Sequence, residues 1–163
     1  MKKYTFTSKS ELDTKRFAKN FAAKLKQNDV IVLTGELGSG KTKFVEGFLK
    51  KFNLQNEISS PTFNIINEYV NDLNKIFHFD VYRLEDSDEF YAIGGDEYFE
   101  NGICLIEWGE MISDVLPKDY IHLFLKKDSQ NENKRILEFV VNDNSKYIKV
   151  LEKLRLEEIL WKF

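Results

Sequence analysis

A run of glycines that ends in a lysine and a threonine is the segment with the clearest chemical potential. Residues 35–42 read Gly-Glu-Leu-Gly-Ser-Gly-Lys-Thr and match the pattern G-x-x-x-x-G-K-[ST] at every defined position. Glycines permit backbone conformations that a Cβ would forbid, so successive N–H groups can converge on phosphate oxygens. Lys41 would bring a positive charge to the β- and γ-phosphates, and the Thr42 hydroxyl could bind Mg²⁺. This glycine-rich loop, residues 35–42, therefore predicts a nucleoside triphosphate site.

The predicted nucleotide-binding residues form one continuous stretch of the chain: Glu36, Leu37, Gly38, Ser39, Gly40, Lys41, Thr42 and Lys43. The motif lies between a buried strand and an amphipathic helix, which is the context that it requires. The free N–H groups at the start of that helix would add to the anion site.

An acidic residue at the end of an apolar strand would complete such a site. Residues 103–107 read Ile-Cys-Leu-Ile-Glu, and we expect Glu107 to serve the Mg²⁺ shell, directly or through water. The single cysteine, Cys104, cannot form an internal disulfide, and its apolar neighbours predict a buried strand thiol.

A third polar element is the segment 77–83, Phe-His-Phe-Asp-Val-Tyr-Arg. Strand alternation predicts that His78, Asp80 and Tyr82 share one face and that the apolar residues share the other. We expect Asp80 to be functional, whereas His78 fits a hydrogen-bonded structural role equally well.

The elements that must position these residues alternate between helix and strand. Residues 10–13 resemble a capping box before a helix, and residues 30–34 are a short β-branched run typical of a buried strand. Phe44, Phe48 and Phe52 repeat at helical spacing after the loop. The remaining predictions are strands at 63–70, 75–83, 121–125 and 135–141, helical pieces at 85–100, and a closing helix at 147–161.

This order predicts an α/β fold of the P-loop NTPase class, with a mixed, largely parallel central sheet flanked by helices and extended by antiparallel hairpins. The length of 163 residues predicts one domain, 1–163.

The composition of the chain indicates which kinds of partner it could bind directly. The net charge is −3 and the pI about 5.5, and the lysines form only short clusters. Tight nucleic-acid binding by this chain alone is therefore not expected. No apolar stretch approaches the roughly 18 residues of a membrane span, and the first residues lack the apolar core of a signal peptide. We expect a cytoplasmic protein that has no membrane contact.

Other P-loop classes fit the sequence less well. Guanine-specific NTPases need N-K-x-D, and neither Asn-Lys pair, at Asn74 and Asn133, carries that aspartate, so ATP is favoured. The chain has no room for the helical lid of larger ring-forming ATPases. Small-molecule kinases usually carry several arginines, and of the four here only Arg83 lies near a predicted site. A kinase and a non-enzymatic, nucleotide-dependent interaction module both stay open as alternatives.

Five motifs, in order along the chain, resemble one known family. They are the glycine-rich loop, Ser-Pro-Thr-Phe at 60–63, His-Phe-Asp-Val-Tyr-Arg-Leu at 78–84, Gly-Gly-Asp-Glu-Tyr-Phe at 94–99, and Ile-Glu-Trp at 106–108. The chain resembles the bacterial ATPase of tRNA threonylcarbamoyladenosine biosynthesis, the TsaE type. The resemblance covers roughly residues 30–108.

The resemblance implies an accessory ATPase that drives turnover of a complex modifying adenosine 37 of certain tRNAs. The threonylcarbamoyl transferase subunit and its companion subunit would hold the RNA, so this chain would meet tRNA only through the complex. The expected cofactors are ATP and Mg²⁺.

The resemblance also implies residue roles. Residues 60–62 would form a switch-like loop beside the γ-phosphate, Asp80 would support hydrolysis, and Trp108 would lie near the nucleotide. Tyr82 and Arg83 would face the partner. The predicted catalytic residues are Lys41, Thr62, Asp80 and Glu107, and the predicted metal ligands are Thr42 and Glu107.

Three positions depart from the family pattern: Lys43, Gly95 and Gly109. None of the three is predicted to bind the nucleotide or the metal ion with its side chain. The sequence does not identify adenine contacts, although residues 8–14 are expected to form a rim of the site.

Overall fold

A seven-stranded mixed β-sheet organises the part of the chain that the computed structural model describes, residues 1–57 and 64–154. The strands lie in the order β1-β7-β6-β2-β5-β4-β3. The four central strands β6, β2, β5 and β4 are parallel, whereas β1, β7 and β3 pair antiparallel. The strand bounds are β1 Lys2–Ser8, β2 Val30–Thr34, β3 Ile66–Val70, β4 Lys75–Asp80, β5 Ile103–Glu107, β6 Ile121–Lys127 and β7 Arg135–Val141.

Helices cover both faces of this sheet. Helix α1 spans Glu11–Ala22, α2 Lys41–Lys50, α3 Ser87–Ala92 and α4 Ile148–Lys153, and 3₁₀ turns lie at Gln55–Glu57, Gly95–Glu100 and Gly109–Ile112. The predicted cap of α1 is confirmed, because the Ser10 hydroxyl accepts a hydrogen bond from the backbone N–H of Asp13 at 3.1 Å. The predicted α/β fold, with a largely parallel sheet and antiparallel hairpins, is confirmed.

Aromatic residues fill the core between the sheet and helices α1 and α2. Phe21 is fully buried, and its ring centroid lies 6.0 Å from that of Phe44 and 5.3 Å from that of Phe139 on β7. The two helices approach closely at Gly47, where a Cβ would lie 2.6 Å from the Cα of Lys15. The predicted helical stripe of phenylalanines thus forms this core.

The other face of the sheet packs against α3 and the two later 3₁₀ turns. Phe79, Phe90 and Ile106 are fully buried there. Cys104 belongs to the same cluster, as predicted for a buried strand thiol, and burial raises the pKa of its thiol to about 12.

Two sequence predictions need correction or lie outside the described residues. Strand β4 ends at Asp80, so only His78 and Asp80 share a strand face, and Tyr82 lies in the turn beyond. That turn forms because Asp80 Oδ1 accepts a hydrogen bond from the N–H of Tyr82 at 3.1 Å. The closing helix is observed at Ile148–Lys153, and the remainder of its predicted span after 154 lies outside the described residues.

No helix within residues 1–57 and 64–154 is long and apolar enough to cross a membrane.

Candidate functional site

The carboxyl ends of β2, β4 and β5 lie at one edge of the sheet. The predicted functional residues lie at these strand ends or directly after them. In an open α/β sheet, ligands bind at this edge. The glycine-rich loop leaves β2 after Thr34, and Asp80 and Glu107 are the last residues of β4 and β5.

The glycine-rich loop adopts the conformations for which its glycines were predicted. Gly38 and Gly40 have φ angles of 78° and 104°, in a region that residues with a Cβ rarely enter. Helix α2 begins directly after Gly40, which offers no side-chain cap to the first N–H groups of the helix. Free amides and the positive end of a helix dipole are suited to binding an anion.

Two side chains in the loop lie where an anion would need them. The Lys41 ammonium donates a hydrogen bond to the carbonyl of Gly35 and so folds back over the loop. The Ser39 hydroxyl is buried and has no hydrogen-bond partner in the part of the chain that the structure describes. Buried polar groups normally have partners, so the orphaned hydroxyl fits a loop that is completed by a bound group.

A cavity of about 280 Å³ opens beside the loop. Its wall combines the loop with the start of α1 and with the segment before β7. The described residues that line it are Glu11, Thr14, Glu36, Leu37, Gly38, Gly40, Lys41, Thr42, Lys43, Glu132, Asn133 and Arg135. Two of them, Glu11 and Thr14, belong to the segment 8–14 that was expected to form a rim.

Arg135 is a cavity residue that sequence reasoning missed. Its Nη2 donates a hydrogen bond to the carbonyl oxygen of Gly38 at 3.2 Å. The expectation that only Arg83 lies near the site is therefore wrong. The sequence carried no direct signal for this contact, because it depends on β6 lying parallel beside β2, which brings the connection after β6 to the glycine-rich loop.

Asp80 and Glu107 stand opposite each other in the register of β4 and β5. The N–H of Val81 donates to the carbonyl of Glu107 at 3.2 Å, so the pairing continues past the end of β4. The Glu107 side chain is 14% exposed, and Asp80 is half-buried. At this carboxyl edge Glu107 thus lies on the strand beside β2, which leads into the glycine-rich loop, and Asp80 lies one strand further along the sheet.

His78 packs directly behind Glu107. The imidazole is buried, and its Nε2 lies 3.5 Å from Oε1 of Glu107. Neither ring nitrogen has a hydrogen-bond partner among residues 1–57 and 64–154. Of the two readings left open by the sequence, a satisfied structural histidine is not what the described residues show.

Trp108 follows Glu107 and packs against Tyr82. Its backbone is left-handed, with φ of 64°. Its ring centroid lies 4.9 Å from that of Tyr82, and both side chains are about half-exposed. Trp108 is not among the described residues that line the cavity, so its predicted contact with a nucleotide stays a prediction.

The residues at this edge fit a Mg²⁺ ion only together with phosphate and water. No group of three His, Cys, Asp or Glu side chains in the described ranges is arranged to hold a metal by itself. Mg²⁺ typically takes one or two protein ligands and fills its shell with phosphate oxygens and water. An exposed Thr42 hydroxyl and the Glu107 carboxylate match that pattern.

One predicted catalytic residue, Thr62, and the switch-like loop at 60–62 lie outside the described residues. The structure places the others at one sheet edge: Lys41 and Thr42 at the start of α2, and Asp80 and Glu107 at the ends of the paired strands β4 and β5.

Comparison with known proteins identifies the family to which the segment carrying this site belongs. Residues 8–136 match the family model described as "Threonylcarbamoyl adenosine biosynthesis protein TsaE". The chain belongs to the TsaE family. The matched segment contains the glycine-rich loop, both strand-end carboxylates and Arg135.

Curated relatives and a solved structure agree with the family. A "tRNA threonylcarbamoyladenosine biosynthesis protein TsaE" from Bacillus subtilis (strain 168) is 39% identical over 133 residues, 81% of this chain and 83% of the relative. The protein of the same name from Rickettsia bellii is 44% identical over 118 residues, 72% and 82% of the two chains. A crystal structure of Bacillus subtilis YdiB superposes with a TM-score of 0.77 at 32% identity and covers 96% of this chain and 97% of that one.

Proposed function

We propose that this TsaE-family protein is the Mg²⁺-dependent, ATP-binding and ATP-hydrolysing subunit of the complex that makes N6-threonylcarbamoyladenosine at position 37 of tRNAs. One observation carries the proposal. The glycine-rich loop, with Lys41 and Thr42 at the start of α2, lies at the same sheet edge as the carboxylates of Asp80 and Glu107. That combination supplies an anion cradle, a cation for phosphates, and oxygen ligands for Mg²⁺.

Each side chain has a distinct task in the proposed reaction. Lys41 would exchange its bond to the Gly35 carbonyl for the β- and γ-phosphates, and the free amides of the loop would hold phosphate oxygens. Thr42 and Glu107 would hold Mg²⁺, which supplies charge neutralisation on the phosphates. Asp80 would accept a hydrogen bond from the attacking water while the bond between the γ-phosphorus and the bridging oxygen of ADP breaks.

The cavity beside the loop would take the nucleoside. Arg135, Asn133 and Thr14 line it together with the glycine-rich loop. The 280 Å³ volume is at the small end for a ligand pocket, which fits a base or ribose rather than a whole nucleotide. The phosphates would then extend along the glycine-rich loop.

The partners follow from the relatives. Their printed names place them in tRNA threonylcarbamoyladenosine biosynthesis, and this chain lacks the charge to bind tRNA alone, with a net charge of −3. We infer that the transferase subunit and its companion hold the RNA in the cytoplasm. The exposed Tyr82 and Arg83, next to Asp80, are available for contact with that partner.

The first test is ATP binding by Lys41→Ala, with Lys50→Ala as the matched control at the far end of the same helix. Loss of a charge-assisted contact costs about 1.5–3 kcal/mol, or roughly 10- to 150-fold in affinity. Calorimetric titration in the presence of Mg²⁺ should show this loss for Lys41→Ala alone. Unchanged affinity in a folded Lys41→Ala protein would overturn the nucleotide site.

The second test is phosphate release by the protein alone and with the purified transferase and companion subunits. We expect slow turnover alone and stimulation by the partners, because P-loop NTPases accelerate when a partner completes the site. Arg83→Ala should lower stimulation if this arginine contacts the partner. An isolated protein as fast as the mixture would contradict the accessory role and favour a kinase, which a screen of acceptors for ADP release would identify.

A further inference from the structure

A polar cluster joins the end of β2 to the turn that follows β5. The Thr34 hydroxyl contacts a carboxylate oxygen of Glu110 and lies 2.8 Å from Nε2 of His122. The same histidine nitrogen lies 3.3 Å from Oε1 of Glu110. The three residues come from β2, from the 3₁₀ turn Gly109–Ile112 and from β6. We call them the Thr34–Glu110–His122 cluster, which links three segments that are distant in sequence.

The hydrogen bonds of the cluster are consistent with an ionised glutamate. A carboxylate can only accept, so the Thr34 hydroxyl donates to Glu110, and the N–H at Nε2 of His122 donates to the Thr34 oxygen. Hydrogen bonding by His122, and then by Thr34, holds the pKa of Glu110 at about 2 although partial burial opposes this. The His122 ring stacks on Phe124 with centroids 4.0 Å apart, so packing fixes the orientation of the donor.

The segment that Glu110 anchors has an unusual backbone and packs closely on β2. It begins with Trp108 in a left-handed conformation, which is unfavourable for a residue with a side chain. Gly109 follows and packs so tightly on β2 that a Cβ would lie 2.8 Å from Cγ2 of Val32. The side chain of Glu110 then ties this turn to the residue that directly precedes the glycine-rich loop.

We propose that Glu110, Thr34 and His122 are positioning residues that set Glu107 and Trp108 relative to the glycine-rich loop. The proposal rests on the proposed function, because it assumes that Thr42 and Glu107 share one Mg²⁺ ion. Mg²⁺ tolerates little departure from octahedral geometry, and its two protein ligands lie on different segments. The backbone pairing of β2 with β5 ends at Leu33 and Glu107, and the cluster extends the connection beyond that point.

The experiment compares Thr34→Val, which removes only the hydroxyl, with Thr34→Ser, which keeps it, and adds Glu110→Gln. Asp72→Asn, in the distant turn between β3 and β4, is the control for loss of a surface carboxylate. The first readout is the Mg²⁺ concentration that half-saturates ATP binding. Loss of a group that hydrogen-bonds a metal ligand typically costs about 10- to 100-fold. The cluster acts on Glu107 only through the backbone of the following turn, so we expect Thr34→Val and Glu110→Gln to raise that concentration by about tenfold, the lower end of that range.

A second readout needs neither nucleotide nor metal. In a Trp161→Phe background, Trp108 is the remaining tryptophan, and acrylamide quenching reports its exposure. We expect stronger quenching in Thr34→Val and Glu110→Gln, whereas Thr34→Ser and Asp72→Asn should match their parent. The double variant Thr34→Val/Glu110→Gln should be no worse than either single variant, because both break one unit.

The outcomes separate this proposal from the proposed function. If the unmodified protein shows no Mg²⁺-dependent ATP binding, the proposed function fails, and quenching alone decides whether the cluster positions Trp108. If the unmodified protein binds but Thr34→Val and Glu110→Gln equal the control in both readouts, the positioning role is overturned. It is also overturned if Thr34→Ser behaves like Thr34→Val, or if the two losses add.

Discussion

The chain has two histidines, and each lies beside a carboxylate of the short segment 107–110, yet the two surroundings differ. His122 shares hydrogen bonds with Thr34 and Glu110 and stacks on Phe124. His78 is more deeply buried, lies 3.5 Å from Glu107, and has both ring nitrogens unsatisfied among the described residues. The polar groups around His122 have partners within the protein, whereas the ring nitrogens of His78 have none among the described residues.

This difference separates two kinds of polar group in one sheet. A buried polar atom without a partner costs free energy, and folded proteins retain such costs mainly at functional sites. The satisfied cluster around His122 therefore has the character of a scaffold. His78, with both ring nitrogens unsatisfied among the described residues and Glu107 beside it, has the character of a site that a ligand completes. We therefore expect substitutions around Glu107 to change function and substitutions around His122 to change stability.

The largest effect is expected at the incomplete centre. Glu107→Gln should weaken Mg²⁺-dependent ATP binding, whereas Asp80→Asn should leave binding intact and slow phosphate release by about 10²-fold or more, within the range for loss of an acid–base group. The reason is position, because Glu107 ends the strand beside the loop and Asp80 ends the next strand. Titration with and without Mg²⁺, followed by single-turnover phosphate release, separates the two. Full hydrolysis by both variants would show that the chemistry lies elsewhere.

Replacing each of the two histidines by leucine should affect the free energy of unfolding differently. His78→Leu replaces two unsatisfied nitrogens by an apolar side chain of similar volume, and we expect unfolding free energy to stay equal or rise by about 1 kcal/mol. His122→Leu removes the partner of Thr34 and Glu110 and should cost about 1–2 kcal/mol. Urea unfolding followed by circular dichroism measures both. A larger loss for His78→Leu than for His122→Leu would reverse the comparison.

The smallest effect is a pH dependence of the satisfied centre. The pKa of Glu110 is held at about 2 against an ordinary value of 4.5, first by His122 and then by Thr34. Because the folded pKa is the lower one, the stabilisation is present above about pH 4.5 and is lost as pH falls towards 2. The glutamate side chain is 43% exposed, so solvent screening limits the effect to about 0.5–1 kcal/mol.

Glu110→Gln tests this directly. Its unfolding free energy should lie below that of the unmodified protein at pH 6 and approach it near pH 2.5. The groups that face Glu110 are the hydroxyl of Thr34 and the imidazole of His122. Parallel curves from pH 6 to 2.5 would contradict the assignment.

Local chemistry made the first half of the site predictable from sequence. A glycine-rich loop between a buried strand and a helix has few other uses, and the strand that ends in Glu107 shows its burial in four successive apolar residues. The turn at Tyr82 was mistaken for strand because alternation continues past Asp80, where a side-chain hydrogen bond ends the extended backbone.

The contacts that the sequence did not reveal are all long-range. Arg135 reaches Gly38 across 97 positions, and His122 reaches Thr34 across 88. Both depend on β6 docking in parallel beside β2, where His122 stands level with Val32. The strand and its hairpin were predicted, but no local pattern states which neighbour a strand will pair with, because sheet order is decided by packing of the whole chain.

The burial of Cys104 has a practical consequence for labelling. A thiol with its pKa raised to about 12 and no exposed surface is a poor nucleophile at neutral pH. It is also the only cysteine in the chain. A cysteine introduced at Leu37, whose side chain is 94% exposed at the tip of the glycine-rich loop, would therefore react alone with a maleimide dye. The native chain supplies a silent background for fluorescence measurements at the mouth of the cavity.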